Sequence, residues 1–174
     1  SVLNQIKKNP QGLTFLTTPN NPTGEAIKLG DIERIAQHVT GLLVVDEAYA
    51  EFSDEESAVT LIAQYPHVVV IRTMSKAFAF AGARVGYLVA HPSVIEAMLL
   101  VRLPYHLSTL TQSAALVALD FKDELLSGVR ELKGARERVS ASLKEMGLSV
   151  LPSQANFLLF TGFACTSNEL WKLM

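Results

Sequence analysis

The sequence has little cysteine, no excess of charge of one sign and no long apolar run. A single cysteine among 174 residues, Cys165, rules out an internal disulfide and is typical of the reducing cytoplasm. Fifteen basic and 17 acidic residues leave a net charge of −2, which argues against a nucleic-acid binder or a polybasic membrane-surface protein. No apolar run approaches the ~18 residues that a membrane-spanning helix needs. We therefore expect a cytoplasmic protein that engages neither nucleic acid nor membrane.

The composition that remains is that of a core-rich globular chain, with 49% hydrophobic and 18% charged residues. Helices are predicted over residues 31–39, with Asp31 as N-cap, and over residues 57–64. Strand, helix, strand, helix, strand at these spacings predicts an α/β fold with a mostly parallel sheet. The apolar runs that predict its strands are residues 13–17, 42–45, 68–71 and 85–90.

The second half of the sequence is predicted to be mainly helical. Ser93 is the expected N-cap of a helix over residues 93–100, and the Ala/Leu-rich run 109–121 predicts a buried helix. Residues 125–146 predict a long amphipathic helix whose charged positions form a solvated face, and Gly147 ends it. A boundary to a second, smaller domain is expected within this long helix.

Both ends of the sequence suggest a part of something larger. The chain starts with Ser1 rather than methionine, and residues 1–11 are typical of the end of a helix or a linker. Near the other end, short strands are predicted over residues 148–151 and 156–160, followed by a helix over 166–174 with nothing to pack on. We expect this sequence to be the middle of a longer protein.

Polar side chains follow three of the predicted strands. Asn21 lies in the turn after the first, Asp46 directly follows the second, and Ser75 and Lys76 follow the third. Open parallel sheets bind ligands just outside the carboxyl ends of their strands. These groups, distant in sequence, are therefore predicted to meet at one edge of one sheet.

This set of side chains suits pyridoxal 5′-phosphate. The amine of Lys76 can form an internal aldimine with the aldehyde and, once released, shuttle a proton. The carboxylate of Asp46, at the end of a buried run, can keep the pyridine nitrogen protonated. The phenol of Tyr49 and the amide of Asn21 can hydrogen-bond the phenolic oxygen of the ring.

The cofactor's phosphate needs a cation and hydroxyl groups. Arg84 offers a planar, bidentate cation and Ser75 a hydroxyl, with Thr73 as a weaker candidate. Three histidines have no carboxylate or cysteine partner at metal-ligand spacing, so no metal site is predicted. These are His38, His67 and His91.

Each of these residues also has a simpler interpretation. Asp46 can cap the turn that follows it, residues 20–24 can be only a turn, Arg84 can pair with a surface carboxylate, and Lys76 can be merely solvated. The simpler interpretations are each reasonable for one residue. Their joint order and spacing favour the cofactor site.

Three motifs carry a resemblance to a known family. Asn-Pro-Thr-Gly at 21–24, Asp-Glu-Ala-Tyr at 46–49, and Ser-Lys followed by Gly-x-Arg-x-Gly at 75–86 resemble the fold-type I, pyridoxal-phosphate-dependent aminotransferases. Residues 77–82 and 101–108 are most similar to the histidinol-phosphate aminotransferase group within it. The resemblance covers nearly the whole chain.

The resemblance implies a three-layer α/β large domain with a mostly parallel sheet, followed by the beginning of a small α+β domain. Residues 1–127 would be part of the cofactor-binding large domain, and residues 128–174 the connecting helix and the truncated start of the small one. It implies transfer of the amino group of histidinol phosphate to 2-oxoglutarate in histidine biosynthesis, by a homodimer.

The same resemblance assigns roles to six residues. Lys76 would carry the internal aldimine, Asp46 would face the pyridine nitrogen, Asn21 and Tyr49 the phenolic oxygen, and Ser75 and Arg84 the phosphate. The family's remaining phosphate-binding turn, its ring-stacking aromatic and its substrate-binding arginine have no counterpart in this sequence. The piece by itself is therefore expected to lack full activity.

Other functions stay open at this point. An aromatic-amino-acid aminotransferase or a decarboxylase of a phosphorylated amino acid would share most of these motifs. A transcriptional regulator with an aminotransferase-like effector domain would carry a helix-turn-helix module before Ser1. Tyr105 and His106 either lie near the substrate or have a structural packing role.

Overall fold

A four-stranded sheet organises the part of the chain that the computed structural model describes, residues 2–8 and 12–173. The strands lie in the order β1-β2-β3-β4; the first three are parallel, and β4 runs antiparallel to β3 at one edge. The predicted α/β class with a mostly parallel sheet is confirmed. The strands are β1 Leu13–Thr17, β2 Leu42–Asp46, β3 Val68–Thr73 and β4 Gly86–Ala90.

The two central strands are uniformly apolar because they are buried along most of their length. Leu43 to Val45 in β2 and Val68 to Val70 in β3 are all buried. Both strands continue past their apolar run, β2 to Asp46 and β3 through Arg72 to Thr73. The polar residues are therefore held in the hydrogen-bonded ladder itself rather than in loose loops.

One face of the sheet is covered by helix α2, Leu29–Ala36, and a 3-10 helix, Ala58–Leu61. The helix begins before the predicted N-cap: Asp31 lies in its first turn, where it pairs with Arg34 at 2.9 Å. This placement is favourable because a carboxylate in the first turn interacts with the helix dipole.

The helix predicted over residues 57–64 is only the short 3-10 helix. Ser57 caps it by accepting a hydrogen bond from the Val59 amide. Val59, Thr60 and Ile62 are β-branched, and such residues lower the propensity for a regular α-helix. The prediction of a full helix here is wrong.

Three helices follow the sheet: α3 Pro92–Val101, α4 Thr109–Asp120 and α5 Lys122–Glu145. The N-cap of α3 is His91, whose ring accepts from the Ser93 amide, so the predicted cap is displaced by two residues. Pro92 at the first helical position fixes this start.

The prediction that α4 is buried is wrong within the described residues. Only Ala118 on this helix is buried, and its large apolar side chains are exposed. The apolar positions run around the whole helix, so the single surface offered by α5 and the neighbouring core covers only a part of them.

The chain ends in small elements. Gly147, with φ +84°, ends α5 as predicted, and the two predicted strands are reduced to the antiparallel pair β5, Ser149–Val150, and β6, Phe160–Thr161. The last helix is α6, Ser167–Leu173, and helix α1, Val2–Lys8, lies at the start.

The remaining expectations for the ends and the domains are not decided by the fold. Residues 1, 9–11 and 174, part of the predicted terminal segments, lie outside the described residues. The predicted domain boundary at 127/128 falls inside α5 and stays a prediction. No described helix combines the length and apolar character needed to cross a membrane.

The buried centre of β2 leads to a stability prediction. Leu43 is 0% exposed, so Leu43→Ala in the 174-residue chain is expected to lower the free energy of unfolding by about 3 kcal/mol. Leu100→Ala, at a position 87% exposed, removes the same atoms and should change it by less than about 0.5 kcal/mol. Urea unfolding followed by circular dichroism measures both, and equal losses would contradict the core assignment.

Candidate active site

Asp46 is the last residue of β2, and both neighbouring strands fix its position. It pairs in register with Thr17 of β1 and Ile71 of β3. The Thr18 amide donates to the Asp46 carbonyl at 2.9 Å, and the Asp46 Oδ1 accepts from the Ala48 amide at 3.1 Å. The carboxylate thus caps the following turn with one oxygen, while Oδ2 has no hydrogen-bond partner among the described residues.

The loop after β1 is a tight turn that also presents a side chain. Gly24 closes it by donating its amide to the Asn20 carbonyl at 2.7 Å, and the peptide bonds before Pro19 and Pro22 are cis. Asn21 is exposed, and its Nδ2 donates to the Tyr49 hydroxyl at 3.1 Å. The loop is therefore a turn, as in the simpler interpretation, and it joins Asn21 to Tyr49.

Tyr49 lies between three other groups. Its ring is 7% exposed and packs edge-on against Phe157, with 5.1 Å between ring centroids. The Lys76 Nζ lies 5.5 Å from the Tyr49 ring centroid. The structure thus brings together Lys76, Tyr49 and Asn21, three of the residues predicted from sequence.

Lys76 projects from a well-packed loop. Met74, Ala77 and Phe78 on either side of it are buried, and the Phe80 amide donates to the Met74 carbonyl at 3.1 Å. The Lys76 side chain itself is exposed. A fixed backbone with an accessible amine suits a lysine that must react with a ligand.

Ser75 and Thr73 form a hydroxyl pair next to Lys76. The Thr73 Oγ1 donates to the Ser75 Oγ at 2.9 Å, and the Ser75 amide donates to the Thr73 Oγ1 at 3.1 Å. The two side chains hold each other in place. Both hydroxyl groups therefore lie at the carboxyl end of β3, where the sequence predicts phosphate binding.

Arg84 is not joined to the other predicted residues by a hydrogen bond. It is exposed, takes a left-handed conformation with φ +53°, and its Nη1 lies 3.5 Å from the Ala81 carbonyl oxygen. Within residues 2–8 and 12–173 it forms no ion pair, so the simpler interpretation as a partner of a surface carboxylate is not what the structure has. A non-glycine residue in this conformation is uncommon and is often found at functional sites.

The loop that carries Tyr105 and His106 is exposed. Tyr105 has φ +57° and is 99% exposed, and His106 is exposed as well. A structural packing role for Tyr105 is therefore wrong within the described residues, and its proximity to a substrate stays a prediction.

A buried ion pair beside the site was not predicted from the sequence. The Glu47 Oε2 accepts from Arg72 Nε at 2.9 Å and lies 2.7 Å from Arg72 Nη2, and Arg72 Nη1 donates to Glu51 at 3.0 Å. Burial disfavours the charged guanidinium, but Glu47 and Glu51 outweigh it and raise the pKa of Arg72. Burial raises the pKa of the neighbouring Tyr87 phenol. The signal for this pair was a charged residue close behind each of two apolar runs: Arg72 directly follows the run 68–71, and Glu47 follows the run 42–45 after Asp46.

A second missed contact fastens residues 153–157 to the site. The Gln154 amide donates to the Gly24 carbonyl at 2.7 Å, and Gln154 Oε1 accepts from Ser53 Oγ at 2.7 Å and from the Asp54 amide at 2.9 Å. Lys133 ion-pairs with Asp54 and lowers the pKa of that carboxyl. This segment therefore links the region after α5 to two loops at the sheet edge.

The amine, carboxylate, phenol and amide on one sheet edge form the donor set expected for an aminotransferase. The family model "Aminotransferase class I and II" matches residues 1–174. The chain belongs to the class I and II aminotransferases. Three known proteins show how far the likeness extends.

A histidinol-phosphate aminotransferase from Mycobacterium sp. (strain JLS) is 55% identical to this aminotransferase chain over 166 residues, which are 94% of this chain. The crystal structure of histidinol-phosphate aminotransferase from Sinorhizobium meliloti in complex with pyridoxal-5′-phosphate is 31% identical. It covers 91% of this chain and 44% of its own, with a TM-score of 0.84. L-threonine-O-3-phosphate decarboxylase from Porphyromonas gingivalis is 25% identical, covers 93% of this chain and 51% of its own, and has a TM-score of 0.81.

These likenesses confirm the resemblance and the predicted three-layer α/β class. The aminotransferase chain spans less than half the length of the curated relatives it matches, 44% and 42% for two of them. Residue roles in the site are not decided by the likeness and remain predictions.

The close fit of Gly24 against Ser153 yields a test of the segment at 153–157. A Cβ on Gly24 would lie 2.3 Å from the Ser153 Oγ, and its φ of +79° already disfavours a side chain. Gly24→Ala in the 174-residue chain is expected to lower the free energy of unfolding by about 1–3 kcal/mol.

Gly128→Ala is the matched control, because a Cβ there meets nothing within 4 Å and the position lies inside α5. It should raise the unfolding free energy by about 1 kcal/mol through helix propensity. Urea unfolding measures both changes. A neutral or stabilising effect of Gly24→Ala would show that the two loops do not pack as described.

Proposed function

We propose that the complete gene product carrying this sequence is a pyridoxal-phosphate-dependent aminotransferase that moves the amino group of histidinol phosphate to 2-oxoglutarate. One observation carries the proposal. The Lys76 amine lies over the Tyr49 ring, and the Tyr49 hydroxyl accepts from Asn21, at the same sheet edge as the Asp46 carboxylate. These four groups suit the reactive atoms of this cofactor.

The donor set fits the cofactor at each of its functional groups. Pyridoxal phosphate supplies an electron sink for the bond-breaking step at the amino-acid α-carbon. The Lys76 Nζ would bind the cofactor covalently and, when free, accept or donate the proton at the substrate α-carbon. The Lys76 side chain is exposed although its neighbours Met74 and Ala77 are buried, which leaves the amine accessible.

Asp46 would bind one polar atom of the ring, and the pair of Asn21 and Tyr49 would bind another. The Oδ2 of Asp46 would accept a hydrogen bond from the protonated ring nitrogen and favour its charged form. The Asn21 amide and the Tyr49 hydroxyl, 3.1 Å apart, can both donate to one phenolic oxygen. Two donors that converge on one point favour an anionic acceptor over a neutral one.

The phosphate would be bound by Ser75 and Arg84, with Thr73 in support. The Ser75 hydroxyl accepts from Thr73 in this structure, so its own proton is available for donation to an anion. Arg84 has no carboxylate partner among the described residues, so its planar guanidinium can donate two hydrogen bonds to the doubly charged phosphate. The remaining phosphate contacts would come from beyond this sequence, so the 174-residue chain alone would hold the cofactor weakly.

The choice of histidinol phosphate as the substrate is supported by two relatives named histidinol-phosphate aminotransferase, which are 55% and 60% identical to this chain. The Porphyromonas gingivalis decarboxylase favours a second candidate, decarboxylation of a phosphorylated amino acid. An aromatic-amino-acid aminotransferase and an effector domain of a regulator remain alternatives. A homodimer is proposed for the complete gene product.

The role of Lys76 can be tested by chemical trapping. Borohydride reduction of the cofactor-loaded complete gene product should place a pyridoxyl group on the peptide that contains Lys76, as seen by mass spectrometry. Lys76→Ala should remove both the label and the visible absorbance of the bound cofactor. Lys28→Ala, at an exposed lysine before α2, should keep both. A label on any other lysine would refute the assignment.

The substrate can be tested by comparing three amino donors in the complete gene product: histidinol phosphate, phenylalanine and threonine phosphate. Glutamate formation from 2-oxoglutarate should give a kcat/KM at least about 100-fold higher for histidinol phosphate than for phenylalanine, because a site built for a phosphate discriminates strongly against its absence. Release of carbon dioxide from threonine phosphate without glutamate formation would instead identify the decarboxylase.

A further inference from the structure

A buried charge pair lies directly behind the candidate active site. Glu47 and Arg72 have side chains only 3% and 17% exposed, and two guanidinium nitrogens approach the same carboxylate oxygen at 2.9 and 2.7 Å. Neither residue belongs to the set that would touch the cofactor. Their position along the strands shows what they hold in place.

Strand alternation puts the pair on the face of the sheet opposite to Asp46. Val45 and Val70 belong to the core cluster under α2, and Glu47 and Arg72 come two residues later on the same face. The ladder continues this far, because the Glu47 amide donates to the Ile71 carbonyl at 2.9 Å. Asp46, between Val45 and Glu47, therefore points to the other face.

The pair also ties together three segments around the site. The Glu47 carboxylate accepts from the Ser57 hydroxyl at 2.8 Å and from the Ala58 amide at 2.7 Å, while Arg72 reaches Glu51 at 3.0 Å. Loss of Arg72 would leave the Glu47 charge buried without its charged partner, and loss of Glu47 would leave Arg72 with Glu51 alone. Such a charge is costly and would be relieved by opening of the strand ends.

We propose that the Glu47–Arg72 pair is a positioning unit for the cofactor: it fixes the end of β2, which carries Asp46, against the end of β3, which leads to Lys76. Glu47 directly follows Asp46, and Arg72 precedes Lys76 by one short loop. This inference rests on the proposed function. The pair acts through Asp46 and Lys76 and contacts no ligand itself.

A positioning role differs from a merely structural one in what it changes. A residue that only stabilises the fold alters the unfolding free energy and leaves the bound cofactor as it was. A positioning residue alters the cofactor's surroundings in molecules that are still folded. Visible circular dichroism of the bound cofactor reports that difference, because it depends on how the ring is held.

The test uses Arg72→Met in the cofactor-loaded complete gene product. The dissociation constant for pyridoxal phosphate is expected to rise about 10- to 100-fold, because the loss of one hydrogen bond to a charged group changes an affinity by about this factor. The visible dichroism per bound cofactor should fall or change shape. Arg72→Lys, which keeps the charge and loses the planar fork, should show a smaller change in the same direction.

Two control variants separate positioning from stability. Ile35→Ala removes buried atoms of α2 from the same core cluster, so it should lower stability and leave the dichroism unchanged. Arg34→Met removes an exposed arginine and should change neither property. Urea unfolding of all variants gives the comparison of stability.

The partner residue provides a rescue. Glu47→Gln/Arg72→Met removes both charges, and it should recover part of the dichroism and affinity that Arg72→Met loses, because the Glu47 charge is no longer left buried without its partner, while Glu51 has lost Arg72 in both variants. If Arg72→Met does not fold, Glu47→Gln, which keeps an oxygen for the Ala58 amide, takes its place and should shift the dichroism in the same direction.

The outcomes distinguish this inference from the proposed function. Wild-type affinity and dichroism in Arg72→Met, or in Glu47→Gln, would overturn the positioning role alone. The same changes in Ile35→Ala would also overturn it, since they would then follow from lost stability. Absence of Lys76-linked cofactor in the wild-type protein would overturn the proposed function, and the inference with it.

Discussion

The parallel pairing of β1, β2 and β3 is the constraint on which the site depends. Thr17, Asp46 and Ile71 are paired side by side in the ladder. The three strands therefore end on the same side of the sheet, and the loops that follow them extend in the same direction. Parallel strands are joined by crossover segments, so all three strands begin at the opposite end of the sheet. The chemistry-bearing loops are therefore neighbours because of backbone hydrogen bonding, before any side chain contributes.

The sequence predicted the sheet well because its central strands are uniformly apolar. A run such as 68–71 has few alternatives to a strand buried on both faces. Helix boundaries were less well predicted because they depend on local competition: α2 begins at Leu29 rather than after Asp31, and β-branched residues reduce 57–64 to a 3-10 helix. The exposure of α4 could not be predicted, since burial depends on surface outside the helix itself.

The same distinction applies within the site. Asn21, Asp46 and Lys76 were predicted to converge because each follows a strand, and strand ends can be read from sequence; Tyr49, three residues after Asp46, joins Asn21 and Lys76 in the structure. The pair of Glu47 and Arg72 could not be predicted in the same way, because it depends on the register of β2 against β3. A one-residue slip in that register would turn one of the two charges to the opposite face.

The contacts of Gln154 have a consequence for the order in which the chain folds. Gln154 meets Ser53 across 101 residues of sequence, whereas the strands of the sheet pair with neighbours that are much closer along the chain. Closing a long loop costs more conformational entropy than closing a short one, and distant contacts slow folding. The sheet is thus expected to become ordered first. The contacts that residues 153–157 make with Ser53 and Tyr49 are expected to form late. For the same reason these contacts are expected to open before the sheet does when the protein fluctuates, so the packing of Tyr49 against Phe157 would loosen while the strands stay paired.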